Sequence, residues 1–75
     1  MIAEQTFRLR IYRKNELAML YFPESSKQTA MRSLGRWIQH CTPLKEELLE
    51  RGYDKNRKYF LKHEVELILK HFGEP

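Results

Sequence analysis

The sequence contains few cysteines, glycines and prolines: among 75 residues there are one, three and three of them, respectively. The single cysteine, Cys41, cannot form an intramolecular disulfide, which favours a reducing compartment. None of the glycines belongs to a phosphate-binding loop, because neither Gly-x-x-x-x-Gly-Lys nor Gly-x-Gly-x-x-Gly occurs. The longest apolar run, residues 17–22, is too short for a transmembrane helix, which needs about 20 apolar residues.

Length and composition predict a single folded domain over residues 1–75. A hydrophobic fraction of 41% and a charged fraction of 32% exclude both a disordered chain and a membrane protein. In so short a chain, nearly every large apolar side chain is needed in the core, which leaves few for a substrate pocket. Residues 1–4 carry an acid where a signal peptide needs basic residues, so we expect a cytoplasmic protein.

Catalytic and metal-binding motifs are incomplete. His63-Glu64-Val65-Glu66 begins like the zinc-protease motif, but Leu67 stands where the second histidine ligand is required. His40 and Cys41 are adjacent, so they face different sides of a helix, and Cys41 is interpreted as a small buried residue. The glycines do not supply the exposed turn of a nucleophilic enzyme. We therefore expect no catalytic site, no metal and no cofactor.

Hydrophobic periodicity predicts one strand and four helices. Alternation of Phe7, Leu9 and Ile11 with arginines predicts a half-buried strand over residues 6–12 with those three side chains inward. Helices are expected over about 14–22, 27–41, 43–51 and 62–72, with a short extended piece at 58–60. Arg13 and Leu61 precede two of these helices, where serine or threonine would be a better N-cap.

The second predicted helix has the clearest amphipathic pattern. Its inward face is formed by Ala30, Leu34, Trp37, Ile38 and Cys41, and Trp37 is expected in the core. Ser25 and Gln28 have the spacing of a capping box. Gly35 lies inside the helix, which indicates close packing or a nearby ligand backbone.

The next helix has its own end signals. Thr42 and Pro43 are expected as N-cap and first residue of the third helix, and Gly52 as its terminator, with Tyr53 packing back on Leu48.

The net charge is +4, and the basic residues are clustered. One cluster contains Arg8, Arg10, Arg13 and Lys14, and another contains Lys55, Arg57, Lys58 and Lys62. Acidic residues concentrate in other segments, which suggests a molecule with two electrostatically different faces. The alternative is that these charges are ordinary solvated surface.

A short helix, a proline-serine turn and a longer helix with a basic outer stripe are the parts of a helix-turn-helix. The predicted fold class is a mainly α, four-helix, helix-turn-helix or winged-helix-like domain with a minor β component. Lys27, Gln28 and Arg32 are expected to reach base edges of duplex DNA, and Arg36 a phosphate. Lys55, Arg57 and Lys58 form a candidate wing, and Arg8 and Arg10 could contact the backbone similarly.

A protein-interaction adaptor is the alternative function. It would dock a partner through the face bearing Arg32 and Arg36, or through whichever of Phe22, Leu49, Leu61 and Leu67 remain exposed. No membrane partner is expected, and a homodimer is left open because helix-turn-helix proteins often dimerise.

The motifs Glu16-Leu17-Ala18-x-Leu20-Tyr21-Phe22-Pro23, Ala30-x-x-x-Leu34-x-x-Trp37-Ile38, Gly52-Tyr53 and Gly73-Glu74-Pro75 resemble a family of short proteins from Bacteroides-type bacteria. The resemblance extends from about Ile11 to the end of the sequence. It implies no activity, since members are described as a domain of unknown function. The Glu-Leu-Ala opening is also similar to the first helix of excisionase-like and MerR-like DNA-binding domains. Arg13 and Leu61 depart from the family pattern, which implies looser starts for the helices that follow them.

Overall fold

The computed structural model describes residues 7–75, which form a mainly helical domain with a small two-stranded sheet. The elements in chain order are β1 (Tyr12–Arg13), α1 (Lys14–Tyr21), α2 (Lys27–His40), α3 (Thr42–Glu50), β2 (Tyr59–Phe60) and α4 (Lys62–Phe72). The predicted fold class is thereby confirmed at the level of a mainly α domain with four helices and a minor β component. Each predicted helix is present, with ends that differ by at most one residue.

The predicted N-terminal strand is much shorter than expected, and of its three predicted inward side chains only Phe7 packs against the core. Within the described part of it, only Tyr12 is in a strand, where it pairs antiparallel with Phe60. Tyr12 is buried, whereas Leu9 and Ile11 are 37% and 52% exposed. Residues 7–11 pair with no strand in the described part of the chain, so burial follows the two-residue pairing of β1 with β2. Residue 6, the first of the predicted strand, lies outside the described residues.

One hydrophobic core joins all four helices and both strands. Its fully buried members include Leu17 of α1, Ala30 of α2, Leu44 of α3 and Val65 of α4. Apolar residues spaced three or four apart bring one face of each helix to this core. No described helix is long and apolar enough to cross a membrane.

Two helices begin without a side-chain cap at the predicted positions, Arg13 and Leu61. In each case the glutamate three residues later reaches back: Glu16 Oε1 accepts the Arg13 N–H at 3.3 Å, and Glu64 Oε1 accepts the Leu61 N–H at 2.8 Å. These carboxylates supply half of a capping box, which offsets part of the missing cap.

The boundaries of α2 and α3 correct three expectations. Ser26 rather than Ser25 caps α2, and its hydroxyl accepts the N–H of Thr29 at 3.1 Å. The helix ends at His40, and Cys41 occupies the N-cap of α3, so that Thr42 is the first helical residue instead of the cap. The sequence signals located the boundary between α2 and α3 correctly. The predicted N-caps, Ser25 and Thr42, are each one residue away from the observed ones.

The end of α3 agrees with the sequence signals. Gly52 has a φ of +84°, which favours glycine, and the Tyr53 N–H donates to the Leu48 carbonyl at 2.9 Å. Tyr53 also stacks on Phe60. The chain is thus turned back toward β2 by residues 53–60, a segment that we call the wing.

Candidate nucleic-acid interface

The outer side of α2 is basic and open to solvent. Lys27, Gln28, Arg32 and Arg36, which we call the α2 basic face, are all exposed. The 14-residue helix contains no aspartate or glutamate, and within residues 7–75 neither arginine forms an ion pair. A helix of this length extends about 21 Å. Its cationic side chains are therefore free to meet an anionic surface.

The helix α1 positions α2 by packing against it. Leu17 and Ala18 of α1 belong to the same buried cluster as Ala30 and Leu34 of α2. Between the helices, the Ser25 N–H donates to the Phe22 carbonyl at 3.1 Å, which closes a compact turn. The capping hydroxyl of Ser26 then starts α2. This helix, turn and helix leave Gln28, Arg32 and Arg36 on the side away from the core, and Lys27 is exposed at the start of the helix.

The wing lies beside α2 across an open groove of about 210 Å³. The α2 wall contains Met31, Gly35 and Gln39, and the opposite wall contains Lys14, Tyr53, Lys55 and Phe60. On a helix, Gly35 is a neighbour of both Met31 and Arg32, so the groove borders the α2 basic face. The exposed Lys55 of the wing thus lies on the same side of the molecule as that face.

Lys14 fixes the wing to α1. Its Nζ donates to the carbonyls of Asp54 and Lys55, at 3.1 Å each, and lies 4.5 Å from the centre of the Tyr53 ring. Burial is the main cause that lowers the pKa of Lys14, with the nearby Arg57 charge second. The ammonium therefore acts as an internal clamp, and the N-terminal basic cluster contributes less free charge than its composition suggests.

Gly35 is not closely packed against other residues, contrary to the prediction. A methyl group added at its α-carbon would meet no atom within 4 Å. Because Gly35 has no side chain, the groove is deeper at this position, between Met31 and Gln39. The close packing predicted at this position is therefore wrong.

Arg57 differs from the other predicted contact residues because it is engaged inside the protein. Its two terminal nitrogens lie 3.0 and 2.9 Å from the two carboxylate oxygens of Glu64, whose side chain is fully buried. The hydrogen bonds to Glu64 raise the pKa of Arg57 above its ordinary value. This bidentate pair holds the wing against α4, whereas Lys55 and Lys58 remain exposed.

Arg10 is also partly engaged. Its Nη2 donates to Glu16 at 3.0 Å, and its guanidinium lies 3.8 Å from the centre of the Tyr12 ring. The hydrogen bond from Arg10 lowers the pKa of Glu16. Both side chains are about half exposed, so this pair contributes little to stability.

Trp37 is not in the core, contrary to the prediction. It is 43% exposed and lies at an aromatic edge, with ring centres 4.7 Å from Phe22, 5.2 Å from Phe72 and 6.2 Å from Tyr21. A step of three residues turns Trp37 about 60° from the direction of Leu34, which lies on the line of Ala30, Leu34 and Ile38. The smaller residues on that line contact the core, and the indole lies at its margin.

Tyr21 anchors the end of the chain at the same aromatic edge. Its hydroxyl donates to the Gly73 carbonyl at 2.6 Å, and burial raises its pKa to about 12.

Of the apolar residues considered for an adaptor, Leu67 is buried, Phe22 and Leu61 are half-buried, and Leu49 is 57% exposed. Of these four candidates, Leu49 is therefore the one that remains exposed.

A cluster that sequence reasoning missed joins Cys41, His71 and Glu47. His71 Nδ1 is 3.9 Å from the Cys41 sulfur, and its Nε2 is 3.0 Å from Glu47 Oε1. Cys41 and Glu47 lie at the start and in the middle of α3, but His71 is 30 and 24 residues away from them and meets them because α4 packs on α3, so no spacing motif could have revealed the cluster. Among residues 7–75, no group of three or more histidines, cysteines or acids is arranged to hold a metal ion.

Comparison with known proteins identifies a family without assigning a function. Neither a curated protein nor a solved structure shows significant similarity to the chain. A family profile matches residues 8–75, which include all four helices, both strands and the whole α2 basic face. The chain belongs to the family described as domain of unknown function (DUF4248).

Proposed function

We propose that this domain binds duplex DNA through the α2 basic face. The observation that carries the proposal is the helix itself: Lys27, Arg32 and Arg36 are exposed on a helix with no acidic residue and no ion pair to the arginines within residues 7–75. The major groove of DNA is about 12 Å wide and admits an α-helix, so unpaired cations on an exposed helix can contact DNA there.

Each residue of the proposed interface has a separate role. Lys27, Gln28 and Arg32 lie in the first half of α2 and would meet base edges, which arginine and glutamine can read by paired hydrogen bonds. Arg36 would contact a phosphate from the second half of the helix. Lys55 and Lys58 would contact the backbone from the wing, as expected of a winged helix. Arg57 is left out of this interface because Glu64 holds its guanidinium.

The biological setting is the less direct part of the proposal. The likeness of the Glu16-Leu17-Ala18 opening to excisionase-like and MerR-like domains supports a small transcriptional or mobile-element accessory factor by analogy. Such a factor would work in the cytoplasm of a Bacteroides-type bacterium, without a catalytic step, and as a monomer or homodimer.

The test is a fluorescence titration of labelled duplex DNA of mixed sequence with the full chain at low and moderate salt. About three neutralised phosphates would give a slope of about −3 for log affinity against log salt. The double variant Arg32→Ala, Arg36→Ala should lose at least about tenfold in affinity, since a bidentate base contact is worth about 1–3 kcal/mol.

The matched control removes the same amount of charge elsewhere. Arg51 and Lys70 both lie near Glu47, so Arg51→Ala with Lys70→Ala lowers the net charge equally without touching α2. This control should bind DNA nearly as well as the unmodified chain. Equal loss in both doubles, or no binding at low salt, would refute the proposed interface.

A protein-binding function is the second candidate, favoured by the exposure of Trp37 and Met31, both 43%, on the two sides of α2. In the titration above, absence of duplex binding at low salt would favour this candidate over DNA binding. Apolar docking survives added salt, whereas a phosphate interface weakens.

A further inference from the structure

Three side chains, two from α3 and its N-cap and one from α4, form a continuous polar row near Trp37 and Phe72. Cys41 lies at the join of α2 and α3, Glu47 on α3 and His71 on α4. The Cys41 sulfur is 3.9 Å from His71 Nδ1, and His71 Nε2 is 3.0 Å from Glu47 Oε1. Thiol, imidazole and carboxylate thus follow one another in the order of nucleophile, base and orienting group.

The direction of the hydrogen bonds follows from the charge of Glu47. The hydrogen bond from His71 lowers the pKa of Glu47, and the Lys70 charge acts in the same direction. An ionised carboxylate can only accept, so His71 Nε2 carries the hydrogen. In the neutral ring, the lone pair of Nδ1 then faces the Cys41 thiol and can accept its proton.

The geometry is that of a proton relay and differs from that of a metal site. Cys41 and Glu47 lie at opposite nitrogens of one imidazole, so their donor atoms do not converge on a common point. Structural zinc requires its ligands to surround one ion.

Cys41 is also accessible to small molecules. It is half-buried and lines an open cavity of about 420 Å³ together with Trp37, His40, His71 and Phe72. The row therefore combines a nucleophile, a proton acceptor and a path from solvent.

We propose that Cys41 is a reactive thiol that hydroperoxides oxidise to a sulfenic acid, with His71 transferring the proton. His71 Nδ1 takes the thiol proton, and the thiolate sulfur attacks the terminal oxygen of the hydroperoxide. The O–O bond breaks as the S–O bond forms, and the released alkoxide takes the proton from His71 to leave as an alcohol. Sulfur is oxidised by two electrons and the peroxide is reduced by two.

A hydroperoxide suits this site better than an acyl substrate. Acyl transfer needs backbone N–H donors grouped around a developing oxyanion. Pro43, two residues after the nucleophile, removes one such donor at the start of α3. Peroxide cleavage needs only the thiolate, a proton for the leaving oxygen and access, which Cys41, His71 and the cavity supply.

The experiment measures the rate of sulfenic acid formation with hydrogen peroxide, by trapping with dimedone and mass spectrometry. Because Cys41 is the only cysteine of the sequence, the signal is unambiguous. The folded chain should react at least about tenfold faster than the same chain unfolded in urea, in line with positioned proton transfer. His71→Asn should reduce the rate to that of the unfolded chain, and Glu47→Gln should give an intermediate rate.

His40→Asn is the matched control, since His40 lines the same cavity without a hydrogen bond to Cys41 among the described residues. It should keep the full rate. The pH profile provides a second readout: the rate of the unmodified chain should persist to lower pH than that of His71→Asn. A folded chain no faster than the unfolded one, or a folded His71→Asn variant at full rate, would overturn the proposal.

Discussion

The α2 basic face and the wing look alike in sequence, since each presents several cations within about ten residues, but they differ in the structure. Arg32 and Arg36 extend into solvent from a helix without acids. In the wing, Arg57 is bound by Glu64, and the backbone around Lys55 is held by Lys14. A cluster of cations is therefore a poor guide to binding unless the carboxylates and carbonyls that face it are known.

The same difference predicts which cations contribute to stability and which contribute to binding. Removing an engaged cation should unfold the domain more easily, whereas removing a free one should change only what the domain binds. The variants below test that division in order of the expected effect.

The largest effect is expected for Arg57→Ala, which leaves the fully buried Glu64 without its ion-pair partner. Breaking a buried pair from one side costs about 3–5 kcal/mol, and the partial exposure of Arg57 places the expected loss near about 3 kcal/mol. Urea unfolding followed by circular dichroism measures it. The exposed neighbour variant Lys58→Ala should stay within about 0.5 kcal/mol of the unmodified chain. Equal losses in the two variants would remove the distinction between engaged and free cations.

Lys14→Met should have the next largest effect, because it removes the two hydrogen bonds to the wing carbonyls. Hydrogen bonds from charged groups contribute about 1.5–3 kcal/mol, and the partial exposure of Lys14 favours the lower end of this range. The free energy of unfolding is again the measurement, with Lys27→Met on the α2 basic face as the control. A Lys14→Met variant as stable as this control would show that the clamp is unimportant.

Gly35→Ala should raise stability and weaken DNA binding together. Alanine in a helix interior is favoured over glycine by about 1 kcal/mol, and the added methyl group meets no protein atom. The same methyl group raises the groove floor beside Arg32. Ser33→Ala, elsewhere on α2, controls for helix propensity and should leave affinity unchanged. Unchanged affinity in Gly35→Ala would show that no ligand approaches the groove floor.

The smallest effect concerns the exposed pair of Arg10 and Glu16. The hydrogen bond from Arg10 lowers the pKa of Glu16 below its ordinary 4.5 in the folded chain. The pair therefore stabilises the fold above pH 4.5, and this contribution is lost as the pH falls through the lowered pKa. Glu16→Gln and Arg10→Met should each flatten the acid limb of stability against pH slightly. A steeper acid limb in either variant would contradict this sign.

The helices could be predicted from sequence because their signals are local. Apolar spacing defined α2 and α4, Pro23 and Gly52 marked ends, and the bounds of α4 agree with the prediction at both ends. The positions of Arg13 and Leu61 before helices were also confirmed. The strand was predicted too long because alternation of apolar and basic residues is a property of one segment alone, whereas a strand also needs a second segment to pair with.

Much of the candidate site depended on contacts between distant residues. The exposure of Gln28, Arg32 and Arg36 follows from helical periodicity, so that prediction required only the sequence. Arg57 was assigned to DNA because nothing local reveals that Glu64 is buried opposite it. Trp37 was placed inside because hydrophobicity does not show that the core is filled by Leu34 and Ile38. The row of Cys41, His71 and Glu47 depends on packing of α3 against α4.

The bridge between β1 and β2 has a consequence for the order of folding. It joins Arg13 to Tyr59 and so closes most of the chain into one loop, at an entropic cost of roughly 3 kcal/mol. The hairpin of α1 and α2 needs only neighbouring residues and can form first. We expect amide hydrogens of Tyr12 and Phe60 to exchange through partial opening at a lower free energy than those of Leu34. The wing would then detach and re-dock while α2 stays formed.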